Sequence, residues 1–249
     1  MTGAHHPGRP STLALYITDW HSCSYLPDLE ARTLFVDPSA PMDGATYQAL
    51  LAQGFRRSGA HIYRPACGAC ERCIPLRVPV RDFAPNRSQR RNLARNGGQV
   101  VLRDSPARFD PEQYALYCAY VQSRHAGGSM AEASETSYRE FLVAPWGGET
   151  RFLELRIGER LIAVAVTDRL PGCLSAVYTF FDPDLTAQAP GIFAILCQIE
   201  SAHRLGLDHL YLGYWIADCR KMGYKDRFRP LEARIGERWR RFERGDLLA

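Results

Sequence analysis

Three cysteines stand three residues apart in C-G-A-C-E-R-C, at Cys67, Cys70 and Cys73. That spacing lets one loop wrap three sulfurs around a single ion, and a fourth thiolate would complete a tetrahedral zinc site or an iron–sulfur cluster. Cys23, in W-H-S-C-S-Y-L-P, is the candidate fourth ligand. A zinc ribbon would show a second C-x2-C, which the sequence lacks. Two alternatives stay open. The thiols could be redox-sensitive groups, or small buried residues of the kind expected of Cys118, Cys173 and Cys197 on apolar faces. A thiol nucleophile would want a partnered base, and the nearest histidine in sequence is His61.

A second constellation fills Y-L-G-Y-W-I-A-D-C-R-K-M-G-Y-K-D-R-F-R-P-L-E, residues 211–232. Aromatics there can stack on bases, and cations can hold phosphates or clamp a carboxylate. A strand followed by a basic loop explains Leu212 and Ile216, but not Lys221, Lys225, Arg227 and Arg229 together. A third candidate is Y-T-F-F-D-P-D, residues 178–184, where a strand should end beside a helix. Its loop lacks the basic, glycine-rich run that cradles a pyrophosphate, which argues against coenzyme A as a ligand. His125, in Q-S-R-H-A-G-G, stands at a helix end, where a lone histidine more often caps carbonyls than catalyses.

The net charge of +4 conceals an asymmetry. From Gln53 to Arg103 eleven arginines face two acids, and from Arg220 to Arg241 nine basic residues face three. The remainder is acidic. Two basic blocks on such a background suggest an anionic partner, nucleic acid first. Arg87, Arg90, Arg91 and Arg95 also fall at helical spacing. At 249 residues, 46% hydrophobic and 23% charged, the chain is an ordinary globular protein with a core that needs no staples. It holds no apolar run of about 18 residues and no signal-peptide core, so membrane spanning is not expected and the cytoplasm is. There, eight cysteines should stay reduced.

The elements that must position these groups fall into two units, 1–97 and 98–249. In the first, Asp43 caps a helix through Ala45–Gln53 that stops at Gly54. A helix from about Ser88 to Gly97 carries the arginine face. The second unit opens with Q-V-V-L-R as a strand and a helix from Asp110-Pro111, followed by a short helix over Tyr138–Val143. Three strands follow, R-F-L-E-L-R, L-I-A-V-A-V-T-D and L-S-A-V-Y-T-F-F, the first two joined at Gly158-Glu159. Pro190-Gly191 begins a long amphipathic helix that stops at Gly206. D-H-L-Y-L-G-Y and A-R-I-G-E-R-W-R-R-F read as the last strands. The order implies an α+β fold: an acetyltransferase-like acyltransferase mixed sheet with flanking helices, plus a smaller cysteine- and arginine-rich N-terminal domain. Such a sheet splays where the long helix follows its third antiparallel strand.

Several motifs together resemble the bacterial aspartate/glutamate leucyltransferases, a branch of the arginyl-tRNA–protein transferase family. They are F-R-R-S-G at 55–59, Y-R-P-A-C at 63–67, C-I-P-L-R-V-P-V at 73–80, N-R-S-Q-R-R at 86–91, Y-T-F-F-D-P-D at 178–184 and the block at 211–232. The resemblance covers nearly all of the chain from about Tyr16. It implies transfer of leucine from leucyl-tRNA to proteins beginning with Asp or Glu, which marks them for N-end rule degradation, with no small-molecule cofactor required. It also implies roles. Arg87, Arg90, Arg91 and Arg95 would hold acceptor-stem phosphates, and Arg77, Lys221, Arg227 and Arg229 the acidic acceptor side chain. Tyr178, Asp182 and Tyr214 would contact the amine or the leaving oxygen, while Phe180 and Ile192 would line a leucine slot. The sequence departs from the family at Leu26, where eukaryotic relatives that carry a cluster have a second cysteine, and at Ala189-Pro190. Two other readings compete: a coenzyme A-dependent N-acetyltransferase, and a non-catalytic RNA-binding protein with a metal-stapled module.

Overall fold

The computed structural model describes residues 12–124 and 134–248. Its centre is an eight-stranded sheet. The strands run β8 (Val100–Pro106), β9 (Glu149–Ile157), β10 (Arg160–Arg169), β11 (Cys173–Phe181), β12 (His209–Trp215), β7 (Ile74–Pro79), β13 (Leu231–Ile235) and β14 (Arg238–Phe242) from one edge to the other. Neighbours are antiparallel except β11 and β12. Strand β10 carries eight consecutive buried residues, Leu161–Asp168, because both of its faces are covered.

Helix α3 (Pro111–Arg124) and α4 (Glu135–Tyr138), which runs on as a π-helical turn over Arg139–Val143, cover one face. There Tyr117, Val121, Tyr138 and Leu142 pack on Phe152, Val164, Val166 and Phe180. Helix α5 (Pro190–Arg204) covers the opposite face, with Phe193 and Ala194 against Leu155, Ala163 and Ala165. Phe180 and Phe181 go to opposite sides, as strand geometry demands.

A smaller antiparallel sheet takes the order β1 (Leu15–Ile17), β4 (Thr33–Val36), β6 (His61–Pro65), β5 (Arg56–Ser58). Beside it β2 (His21–Ser22) pairs with β3 (Glu30–Ala31). Helix α1 (Gly44–Ala52) starts where the Asp43 carboxylate accepts from Thr46 N at 2.7 Å. Its Tyr47, Leu50 and Leu51 pack on Cys173 and Tyr211 of the large sheet. Helix α2 (Arg87–Gly97) begins at a capping box, in which Asn86 and Gln89 exchange side-chain and backbone bonds.

The sheets do not divide at residue 97. Strand β7 comes from the arginine-rich half yet lies inside the large sheet, between β12 and β13, with Leu76 and Val78 wholly buried. Its I-P-L-R-V-P alternation carries an apolar face that only the large sheet buries. Residues 233–242, expected as one terminal strand, fall in the hairpin β13–β14, since Gly236 at φ +58° turns the chain back.

Candidate functional site

Strands β11 and β12 pair only over Cys173–Ser175 and His209–Tyr211. Beyond that they diverge, and Ala176–Thr179 stay half-buried in the middle of a sheet that is otherwise closed. A wedge of unpaired β11 edge therefore opens toward the β12 side. On β12 the register slips between Tyr211 and Gly213, a bulge that re-aims Tyr214.

The two walls of the wedge differ. On the β11 side Tyr178 packs with Tyr117, Tyr120 and Phe141 beneath α3. Its hydroxyl is buried with no hydrogen-bond partner among the described residues, and burial holds its pKa far above the ordinary 10. Arg124 lies over the rings of Tyr120 and Phe181. On the β12 side the Tyr214 hydroxyl donates to Gly54 O at 2.8 Å, and the Arg56 guanidinium lies 5.4 Å from the Tyr214 ring centre. Lys225, only 7% exposed, donates to Tyr214 O at 2.9 Å. Burial first, and the Arg56 charge second, push its pKa well down. Tyr224 links the walls. Burial raises it to about 12, with Tyr120 on one side and both Arg56 and Arg124 acting on it.

Helix α2 bridges the segments that follow the two strands. Gln89 Nε2 donates to Arg227 O at 3.1 Å, beyond β12. Asn92 Nδ2 and Asn96 Nδ2 donate to Gln188 O at 3.0 and 3.2 Å, beyond β11. A stripe of amides thus docks the helix on backbone carbonyls. Its opposite face leaves Arg87, Arg90, Arg91 and Arg95 exposed together. Both basic blocks consequently meet at one end of the wedge.

The remaining anticipated residues have other surroundings. Arg77 is engaged with Glu232 at 2.6 Å and the Tyr211 hydroxyl at 2.9 Å, under Trp239. Arg229 is 8% exposed and spends its guanidinium on Asp226 O and Glu243 O. Arg227 is exposed on a cavity of about 270 Å³ beside Asn86 and Arg244. Lys221 is exposed as well. Asp182 pairs with Arg160 and caps the 3₁₀ turn Pro183–Gln188 by accepting from Asp184 N at 3.0 Å. Phe180 is buried beneath α3, while Ile192 packs against the cluster on the α5 face, so the two do not share a slot. His125 lies outside the described residues.

Cys23, Cys67, Cys70 and Cys73 do converge, with Cys219 as an unforeseen fifth. Burial and then these four thiols raise Cys73 to about 12. Cys67 Sγ donates to Arg32 O at 3.6 Å. All five are free thiols, and no group of three or more Cys, His, Asp or Glu among the described residues is arranged to hold a metal ion. No chemistry below runs through an ion.

Sequence reasoning missed Arg56, Tyr25 and Tyr63. The available signal was F-R-R-S-G itself, because consecutive strand residues point to opposite faces and two adjacent arginines must have different partners.

The family model described as "Arginine-tRNA-protein transferase, N terminus" matches residues 21–91, and "Arginine-tRNA-protein transferase, C terminus" matches residues 112–235. An aspartate/glutamate leucyltransferase of Pseudomonas aeruginosa (strain LESB58) is 51% identical over 91% of this chain and 96% of its own length. The protein of the same name from Stutzerimonas stutzeri (strain A1501) is also 51% identical over the same shares. Among solved structures, the C-terminal domain of a putative lysylphosphatidylglycerol synthetase from Agrobacterium fabrum aligns with 58% of this chain and 46% of its own. It does so at 13% identity and a TM-score of 0.45, too loose a likeness to carry an argument. With its N- and C-terminal halves each matched, and such relatives spanning nearly its whole length, the chain belongs to the arginine-tRNA-protein transferase family.

Proposed function

We propose that this chain transfers leucine from leucyl-tRNA to the α-amine of proteins that begin with aspartate or glutamate. The observation that carries the proposal, beyond family membership, is the placement of α2. Its amide stripe ties together the segments after β11 and β12, so four exposed arginines stand at the end of the wedge. A tRNA acceptor stem gripped there by its phosphates would direct its aminoacylated end into the opening. The acetyltransferase-like reading of the sheet belongs to the same proposal and is supported by the β11–β12 divergence.

The reaction is aminolysis of an ester. The acceptor nitrogen attacks the leucyl carbonyl carbon, a C–N bond forms, and the oxygen becomes an oxyanion. The C–O bond to the ribose then breaks, and the ribose oxygen leaves with a proton that the amine has released. An α-amine of pKa about 8 is roughly one-tenth neutral at pH 7. An activated ester needs little more than the right approach, so positioning supplies most of the rate.

Of the three residues expected at the reaction, the geometry favours Tyr178. Its hydroxyl is unspent and stays protonated at neutral pH, so it would act as a donor to the oxyanion or the ribose oxygen. The Tyr214 hydroxyl is spent on Gly54, and Asp182 on Arg160 and its own turn. Both would act as supports. An amine and an ester call for no redox group, and a tRNA substrate places the work in the cytoplasm, where the product would enter N-end rule degradation. No described helix is long and apolar enough to cross a membrane.

The test is direct. Protein mixed with leucyl-tRNA and peptides beginning with Asp, Glu or Lys should leucylate the first two and leave the third. Transfer to none of them ends the proposal. Acetyl transfer from coenzyme A without tRNA would replace it by a different acyl donor.

A further inference from the structure

The wedge holds positive charge that the protein does not balance. Arg56 is half-buried on β5, and among the described residues it makes no hydrogen bond and no ion pair. The groups that act most on it are Tyr63, Tyr25, Tyr214 and Tyr47, with no carboxylate among them. Buried Lys225 lies within its electrostatic reach and likewise has only neutral contacts, Tyr214 O and the Met222 sulfur at 3.3 Å. A guanidinium withdrawn from water without a counter-ion is costly, and burial drives the Lys225 amine toward its neutral form; an anion entering the nest would stabilise the charged form of both.

The protein also protects the room for this guanidinium. Gly213 sits at φ +75°, and a Cβ there would lie 2.3 Å from Arg56 Cζ. The β12 bulge and its glycine therefore make the niche that seats Arg56. The hydroxyls of Tyr25 and Tyr63 are not engaged in any hydrogen bond among the described residues, while that of Tyr214 is.

We propose that Arg56, with the hydroxyls of Tyr25 and Tyr63 and the amine of Lys225, binds the side-chain carboxylate of the acceptor's first residue and so restricts transfer to Asp and Glu. This rests on the transferase reading above. A planar carboxylate matches the guanidinium fork and leaves its remaining lone pairs for two phenols. A tRNA phosphate is the rival anion, but under the transferase reading the exposed α2 arginines take that role. The niche, closed on one side by the Gly213 backbone, suits a small flat anion. The position also fits the chemistry. Tyr224 feels Arg56 and, across the wedge, Tyr120 and Arg124 beside Tyr178. A carboxylate held at Arg56 would thus place the α-amine toward the unpaired β11 edge.

The experiment measures kcat and KM for Asp-, Glu-, Asn- and Gln-initiated peptides with leucyl-tRNA, in the wild type and in Arg56→Gln. The wild type should prefer Asp over Asn. In Arg56→Gln the KM for the Asp peptide should rise at least about 30-fold, kcat should fall far less, the Asp-over-Asn preference should collapse, and leucyl-tRNA affinity should hold. An unchanged Asp-over-Asn ratio overturns the proposal, as does weakened leucyl-tRNA binding with the ratio intact, which would give the niche to phosphate. Absence of leucyl transfer by the wild type is a separate result and sinks the transferase reading instead. If Arg56→Gln does not fold, the double variant Tyr25→Phe, Tyr63→Phe keeps both rings and removes only the hydroxyls. Its ratio should fall several-fold, and no fall overturns the assignment.

Discussion

Arg56 and Arg57 are neighbours on one short strand with opposite fates. Arg57 points to the large sheet, where Asp168 takes both Nε at 2.8 Å and Nη2 at 2.6 Å. Gly59 O accepts from Nη1 at 2.5 Å, and Thr150 Oγ1 donates to the same carboxylate at 2.7 Å. Both side chains are entirely buried. Arg56 points to the wedge and finds only ring faces and phenols. One arginine is complete and joins two sheets. The other is incomplete, and the missing partner is an anion from outside. A protein tolerates an unbalanced buried charge where function needs it and balances the cost elsewhere. The Arg57 pair, one residue away, is well placed to do so.

The strongest way to break this comparison is Asp168→Asn. It leaves Arg57 buried without its charge partner, so denaturant unfolding should show a loss of about 3–5 kcal/mol. A loss below about 1 kcal/mol would mean that the pair does not hold the sheets together. Arg56→Gln should behave oppositely, with the melting temperature unchanged or raised, because it removes a charge that nothing in the fold balances. A melting temperature lowered as far as that of Asp168→Asn would erase the distinction.

Gly213→Ala attacks the niche from the backbone side. Alanine at φ +75° strains the chain by about 1–2 kcal/mol. The new methyl also displaces the guanidinium, so the Asp-over-Asn preference should fall along with stability. Stability lost with the preference intact would show that the glycine serves the bulge alone.

Much of this was legible in the chain. The helix read from about Ser88 to Gly97, Asp110-Pro111, Pro190 and the stop at Gly206 lie within one or two residues of the helix bounds observed. The wedge nest was not legible, because Tyr25, Arg56, Tyr63, Tyr214 and Lys225 come from separate segments and only the tertiary fold assembles them. Arg77 and Arg229 looked like site cations because basic residues cluster in sequence. Glu232 reaches Arg77 through the β7–β13 pairing, and Arg229 is occupied by Asp226 O in its own turn and by Glu243 O from the chain after β14.

Arg77 lies between the two extremes, filled but partly open, and its partner gives a pH test. Hydrogen bonding from His209, and then the Arg77 guanidinium, lowers Glu232 from the ordinary 4.5 to about 2. A folded-state value below the unfolded one adds stability at pH above 4.5, which is lost as pH falls toward 2. With the Glu232 side chain 19% exposed, Glu232→Gln should cost about 1–2 kcal/mol at pH 7 after allowance for screening. The gap between variant and wild type should close by pH 2. A gap independent of pH would assign the cost to packing.

The smallest effect belongs to the third kind of arginine, the solvated one. Arg91 is exposed on α2, with no hydrogen bond or ion pair among the described residues. Arg91→Ala should leave stability within about 0.5 kcal/mol of the wild type. Its signature is in salt. A lost phosphate contact lowers the slope of log affinity for leucyl-tRNA against log salt by about 1, uniformly across tRNA sequences, with the Asp-over-Asn preference untouched. A slope that does not change removes Arg91 from the tRNA face. A preference that does change would mean that α2 reaches the acceptor, and the separation between a phosphate-holding helix and a carboxylate-holding nest would fail.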